Sequence, residues 1–159
     1  MLSFTEKCAL LKRNTHIKHL IITHFHPDHA GLVQNIKDNG AQLVLHSNQA
    51  SYVGPLKQYF KPQHMFKEID GSNNIVVTST NSRVLLKTIG IEGEIIPTPG
   101  HSDDSISLVV DRCCAFTGDL PNLSLASWDN NSVLKNSWDL IRKHEVITIY
   151  PGHGNPFSL

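Results

Sequence analysis

Short apolar runs punctuated by glycine, proline and polar turns divide this chain into alternating strands and helices. The run from Ile17 to Thr23 predicts a strand, Ala30 to Asn39 a helix stopped by Gly40, and Gln42 to His46 a second strand, which together make a βαβ unit. Ser47 to Val53 reads as a short helix. The stretch from Gly54 to Gly71 is less regular, with Pro55 and Pro62 among Tyr59, Phe60, Met65 and Phe66, and reads as a lid whose aromatics serve packing before substrate contact. Strands are expected at Ile75–Ser79, Val84–Thr88, Glu94–Pro97, Ser105–Asp111 and Cys113–Thr117, forming a second sheet with a tight turn at Asp111-Arg112. Val133, Leu134, Trp138, Leu140 and Ile141 lay an apolar stripe along a helix from Ser132 to Lys143, before a closing strand at Val146–Tyr150. Upstream of the first strand, Phe4, Cys8, Leu10 and Leu11 recur at near-helical spacing within Met1–Asn14.

With 159 residues, 40% of them hydrophobic and none in a repeat or low-complexity tract, the chain reads as one domain over residues 1–159. No run approaches the roughly 20 apolar residues of a membrane span, and the opening residues lack a basic-then-apolar signal pattern, so the expectation is a cytoplasmic protein without a membrane partner. An odd set of three cysteines, Cys8, Cys113 and Cys114, agrees with structural thiols. Fourteen Lys+Arg against 14 Asp+Glu leaves no electrostatic footprint for a phosphate backbone, which argues against a nucleic-acid partner.

The chemistry is concentrated in Thr23-His24-Phe25-His26-Pro27-Asp28-His29-Ala30-Gly31. Three imidazoles and a carboxylate in six positions are the donors a borderline divalent cation prefers, and they do not crowd together without a cation to offset repulsion and lost hydration. His24 and His26 sit two apart at a strand end, and Asp28 and His29 fall where the chain enters a helix, so one loop can serve two adjacent ions. Downstream, Thr98-Pro99-Gly100-His101-Ser102, Thr117-Gly118-Asp119 and Pro151-Gly152-His153-Gly154 each put a ligand-type residue beside a glycine at a strand end. Taken singly, His101, Asp119 and His153 are ordinary turn residues; with the first cluster they become ligand candidates. His16, His19, His46, His64 and His144 read as surface or supporting residues, Ser102 and Asp103 as caps, and Trp128 in the Leu120–Asn131 loop as a wall for substrate.

The series HFHPDH, TPGHS, TGD and PGHG, in that order from His24 to His153, resembles the metallo-β-lactamase superfamily. The resemblance implies an αββα sandwich of two packed sheets with helices outside, here shortened at its amino end because strands that usually precede the first histidine motif have no counterpart. It also implies a two-metal site, with His24, His26 and His101 on one ion, Asp28, His29 and His153 on the other, and Asp119 bridging. Two zinc ions are the expected cofactors, with manganese or iron as alternatives set by availability. A hydroxide held between the ions is the implied nucleophile, with Asp28 and Asp119 as the catalytic carboxylates; two dications against three negative charges leave the cluster positive and favour an anionic small-molecule substrate.

Within the superfamily, a cysteine-dependent lactamase is disfavoured by Asp119 and His29, and a flavodiiron role by His26. The nearest resemblance is to the glyoxalase-II-like and lactonase-like hydrolases of small esters, thioesters and lactones. The alternatives are a non-catalytic or truncated metal module that needs a partner chain, a β-lactamase, and a single-iron oxygenase. An open sheet edge at the amino end would call for a homo-oligomer or a partner to cover it.

Overall fold

The computed structural model describes residues 16–123 and 132–159; the expected helix around Phe4–Leu11, Cys8 and the substrate-wall candidate Trp128 lie outside the described residues. The first sheet has three parallel strands: β1 (His19–Ile21), β2 (Gln42–His46) and β3 (Ile75–Val77), in that spatial order. The second has five: β4 (Gly93–Pro97), β5 (Ile106–Val110), β6 (Cys114–Gly118), β7 (Thr148–Pro151) and β8 (Phe157–Ser158), also side by side in sequence order. All neighbours in the second sheet are antiparallel except β6 and β7.

Pleat alternation sorts the strand residues into three apolar layers. Leu43 and Leu45 point outward from β2, onto Phe25, Ala30, Val33 and Leu56, under two short helices, α1 (Pro27–Ala30) and α2 (Val33–Lys37). Val44 and Val77 face the other way, onto Ile95 and Ile106 of the second sheet and Leu86 of helix α3 (Ser79–Thr88). Behind the second sheet, Val109, Ala115 and Ile149 meet Leu134, Trp138 and Ile141 of helix α4 (Ser132–Arg142). The layers therefore run helix, sheet, sheet, helix, as the family resemblance implied. Each fully buried leucine or isoleucine stabilises this arrangement by roughly 1.5–3 kcal/mol.

Several local expectations are corrected. Val84–Thr88 is the second half of α3, not a strand. Its Ser82 and Leu86 are buried four apart, and the Ser82 hydroxyl accepts the Ile95 backbone N–H at 3.1 Å, which docks the helix on β4. Ile75–Val77 does not belong to the second sheet; it pairs with β2 in parallel, Val44 opposite Ile75 and His46 opposite Val77. The long helix expected from Ala30 to Asn39 is divided into α1 and α2, because Leu32 leaves helical geometry at φ −109°, ψ 6°. The apolar stripe of α4 is narrower than its sequence, with Val133 and Leu140 facing out. The stretch 54–71 is a series of 3-10 turns whose Phe60 and Phe66 stack at 4.1 Å and pack on the outer layer of the first sheet. Its end is pinned to α2, where the Lys37 ammonium donates to the carbonyl of Ser72 at 2.9 Å and Gln34 Oε1 accepts the Asp70 N–H at 2.7 Å. Arg112 takes a positive φ of 54° in the expected turn between β5 and β6.

Candidate metal centre

Four strand ends deliver the seven sequence-predicted residues to one edge of the sandwich. His24 and His26 follow β1, Asp28 and His29 lie in α1, His101 follows β4, Asp119 follows β6 and His153 follows β7. Ligand atoms of His24, His26 and His101 lie within 4.8 Å of one another, and so do those of Asp28, His29, Asp119 and His153. Asp119 joins the two groups. Its Oδ2 is 3.3 Å from His29 Nε2, 3.6 Å from His153 Nε2, 3.8 Å from His101 Nε2 and 3.9 Å from His24 Nε2. His101 Nε2 is 3.1 Å from His26 Nδ1, and His153 Nε2 is 3.0 Å from Asp28 Oδ2.

Hydrogen bonding alone does not account for this arrangement. His24 Nε2, His29 Nε2 and Asp119 Oδ1 are buried and have no hydrogen-bond partner, an expensive condition for three polar atoms in one place. Imidazole nitrogens and carboxylate oxygens converging on a shared point are the donor set of a divalent metal, and a metal would satisfy all three. Burial, followed by the charges of His29, His26 and His101, lowers the His24 pKa to about 4 against the pull of Asp119, so the ring is neutral and its lone pair free at ordinary pH. Burial pushes the Asp28 carboxyl upward, but its own backbone N–H, the charge of His29 and the hydrogen bond with His153 outweigh that and hold it ionised below the usual carboxylate range.

The loops are stapled to one another. Ile106 N–H donates to Thr23 O at 2.8 Å, tying the start of β5 to the His24 loop, and Gly152 N–H donates to Gly118 O at 2.7 Å, tying the His153 loop to the Asp119 loop. Ser137 on α4 donates to Pro99 O at 2.7 Å, and the Trp138 indole to Pro121 O at 2.9 Å, so α4 braces the segments bearing His101 and Asp119. Two glycines are sterically required. A Cβ on Gly118, which sits at φ +56°, would lie 2.5 Å from Thr23 Oγ1, and one on Gly152 would lie 2.5 Å from Asp119 Oδ1 and 2.7 Å from His29 Cε1.

Asp104 is a bracing residue of the candidate site that sequence reading passed over in favour of Ser102 and Asp103. It is buried, accepts the Phe25 N–H at 2.7 Å through Oδ2 and the Ser102 hydroxyl at 2.7 Å through Oδ1, and so clamps the loop between His24 and His26 to the loop of His101. Three successive capping-type residues gave no local signal to separate it from Asp103. His46 is also not a surface residue: it is buried, with Nδ1 2.6 Å from Asn48 Oδ1, and caps the 3-10 turn that follows β2. His144 pairs with Asp111 at 2.9 Å, remote from the cluster in sequence and partners, where Asp111 also binds Arg83. His16 and His64 are exposed. Cys113 and Cys114 are free thiols, and no described helix is long and apolar enough to cross a membrane.

A family model described as the metallo-beta-lactamase superfamily matches residues 4–153. Among characterised sequences, the Beta-lactamase-like protein 2 homolog of Caenorhabditis elegans is 26% identical over 150 residues, taking in 93% of this chain and 46% of that protein, so the chain spans about half the length of that relative. A metallo-beta-lactamase family protein from Thermus thermophilus superposes with a TM-score of 0.67 at 18% identity, over 98% of this chain and 63% of that one. The BLEG-1 B3 metallo-beta-lactamase gives 0.67 at 22% identity, over 96% and 77%. A protein solved in a di-iron-bound form gives 0.66 at 17%, over 98% and 80%. At such identities the structural likeness speaks for the fold.

Proposed function

This chain belongs to the metallo-β-lactamase superfamily, and from that premise we propose that it is a metal-dependent hydrolase of small esters, thioesters or lactones, working with two divalent ions, zinc in first place. The observation that carries the reading is the position of Asp119 Oδ2, within 3.9 Å of imidazole nitrogens from His24, His29, His101 and His153. In this proposal His24, His26 and His101 hold one ion, Asp28, His29 and His153 the other, and Asp119 is shared. When bound, such ions supply a water acidified to a pKa of about 7 and Lewis-acid polarisation of the carbonyl.

The rest of the chemistry falls to the chain. Asp28 and Asp119 supply the negative charge that holds dications at the site, while the five histidines, as neutral donors, leave the loaded site positive enough to draw an anionic substrate. Asp28 is 44% exposed and His153 49% exposed along their side chains, against 1% for His24, so the solvent-facing side of the site is the side of Asp28 and His153 and is where substrate enters. His24 and the bracing loops behind it fix the geometry against which the carbonyl is oriented.

The test is a panel of acyl esters, thioesters and lactones assayed with zinc-, manganese- and iron-loaded protein beside Asp119→Ala. Metal-dependent turnover that disappears in the variant supports the proposal. Full activity after removal of metal, or equal activity in Asp119→Ala, overturns it. A second reading, a metal-binding module that needs another chain for turnover, draws on the 46% coverage of the worm relative; metal-loaded, folded protein with no turnover on the whole panel would favour it.

A further inference from the structure

His24 is the most deeply buried of the seven candidate ligands, and its Nε2 has no hydrogen-bond partner to aim it. The ring therefore takes its position from the peptide that carries it. That peptide lies where the chain leaves the first sheet: the parallel ladder of β1 on β2 ends at Ile21 opposite Val44, although β2 runs on to His46. Beyond the ladder, the carbonyls of Ile22 and Thr23 are held by other donors. Thr23 O receives the Ile106 N–H at the start of β5 at 2.8 Å. The second donor is a side chain, Gln49, whose Nε2 is 2.9 Å from Ile22 O and 3.4 Å from Thr23 O.

Gln49 stands in the 3-10 turn Ser47–Tyr52 and is fully buried. Its Oε1 accepts the His46 N–H at 3.2 Å, the ordinary role of a glutamine or glutamate at the third position of a capped turn. Capping leaves the other end of the amide unexplained. That end crosses 27 positions of sequence to reach Ile22. A side-chain amide accepts at one end and donates at the other, so one residue can cap its own turn and hold the strand end beside it.

We propose that Gln49 is a positioning residue of the candidate metal centre, setting His24 through the carbonyls of Ile22 and Thr23; this rests on the reading of His24 as a metal ligand. Two contacts carry the effect forward. Thr23 Oγ1 is 3.3 Å from His24 Nδ1, and Gly118, next to Asp119, is seated on the same hydroxyl so closely that a Cβ there would lie 2.5 Å from it. A shift of the Thr23 peptide therefore moves both the His24 ring and the approach to Asp119. On the far side of His24, the Phe25 N–H is held by Asp104 at 2.7 Å. The buried ligand is thus bracketed, by an amide before it and a carboxylate after it. Removing the amide leaves buried backbone groups short of a partner, and the strand end must move to recover one.

Zinc affinity by chelator competition and the visible spectrum of the cobalt-loaded protein test this on the whole chain, beside urea unfolding of the metal-free protein. Gln49→Met fills much the same space without a hydrogen-bonding amide. Gln49→Glu keeps the cap but, as a carboxylate, cannot donate to Ile22. Ser82→Ala, which removes the bond to the Ile95 N–H, is the control for a buried hydrogen bond lost elsewhere. The expected result is zinc affinity lower by about tenfold in both Gln49 variants, with an altered cobalt spectrum, while Ser82→Ala loses stability and keeps wild-type affinity and spectrum. A role in capping alone predicts instead that Gln49→Glu matches wild type; that result, or equal weakening in Ser82→Ala, would overturn the proposal. Should both Gln49 variants fail to fold, Gln49→Asn, one methylene shorter, gives the same comparison. Wild-type protein that takes up neither zinc nor cobalt would overturn the reading of the site and the proposal with it, whereas metal-binding wild type with unaffected Gln49 variants would overturn the role of Gln49 alone.

Discussion

Replacing Gly152 with alanine adds one methyl group at a crowded point of the candidate metal centre. The new Cβ would stand 2.5 Å from Asp119 Oδ1 and 2.7 Å from His29 Cε1, against an ordinary contact of at least 3.4 Å. Asp119 and His29 must therefore give way by roughly 0.9 and 0.7 Å, or the His153 loop must move by as much. Both exceed the ~0.5 Å within which a site has to be held. Because Gly152 is not at a positive φ, alanine meets no backbone penalty, and the perturbation is steric and local. Displaced ligands of this kind weaken metal binding by about 10- to 100-fold, and overpacking costs about 1–3 kcal/mol of stability. The assay is chelator competition for zinc on wild type, Gly152→Ala and the control Gly54→Ala, whose Cβ would meet nothing within 4 Å. Wild-type affinity in Gly152→Ala, with the fold intact, would refute the claim that Asp119 and His29 are held in register by the absence of a side chain at 152.

Three further outcomes follow from the same geometry. Asp104→Ala should lower stability by about 1–3 kcal/mol, since it strands the buried Phe25 N–H, and should lower metal affinity with it; thermal unfolding and chelator titration read the two effects separately. Without metal, the protein should lose stability as pH falls from 6.5 to about 4, because an unfolded histidine takes up a proton across that window while buried His24 refuses it until about 4. The loss amounts to about 3 kcal/mol in total, and urea unfolding at pH 7 and pH 4.5 should show the dependence reduced in His24→Gln. Arg83→Ala should cost under about 1 kcal/mol, salt-dependent, since its bonds to Glu94 and Asp111 sit on a part-exposed surface; a loss of several kcal/mol in urea unfolding would contradict that.

The candidate site was legible in the sequence because its residues stand out by type: imidazoles and carboxylates beside glycines at strand ends are the donors a divalent metal prefers, and the fold brings all seven of them together. What failed to show were features decided by tertiary contact. Val84-Leu85-Leu86 looks like a strand by composition, yet the helix is set by docking of Ser82 and Leu86 on β4, and Ser79–Ser82 alone gives little hint of it. The placement of β3 beside β2 depends on a crossover through irregular 3-10 turns, which no local pattern encodes. Asp104 differs from Asp103 only in which one reaches the Phe25 N–H, 79 positions away.

The central claim, that four loops assemble one two-metal ligand set, is tested most directly by elemental analysis of the purified, desalted protein beside Asp119→Ala. The account predicts about two divalent ions per chain in the wild type and a clear loss in the variant. Metal-free wild-type protein that stays metal-free after incubation with zinc, manganese or iron, or a variant that binds as much as wild type, would contradict it.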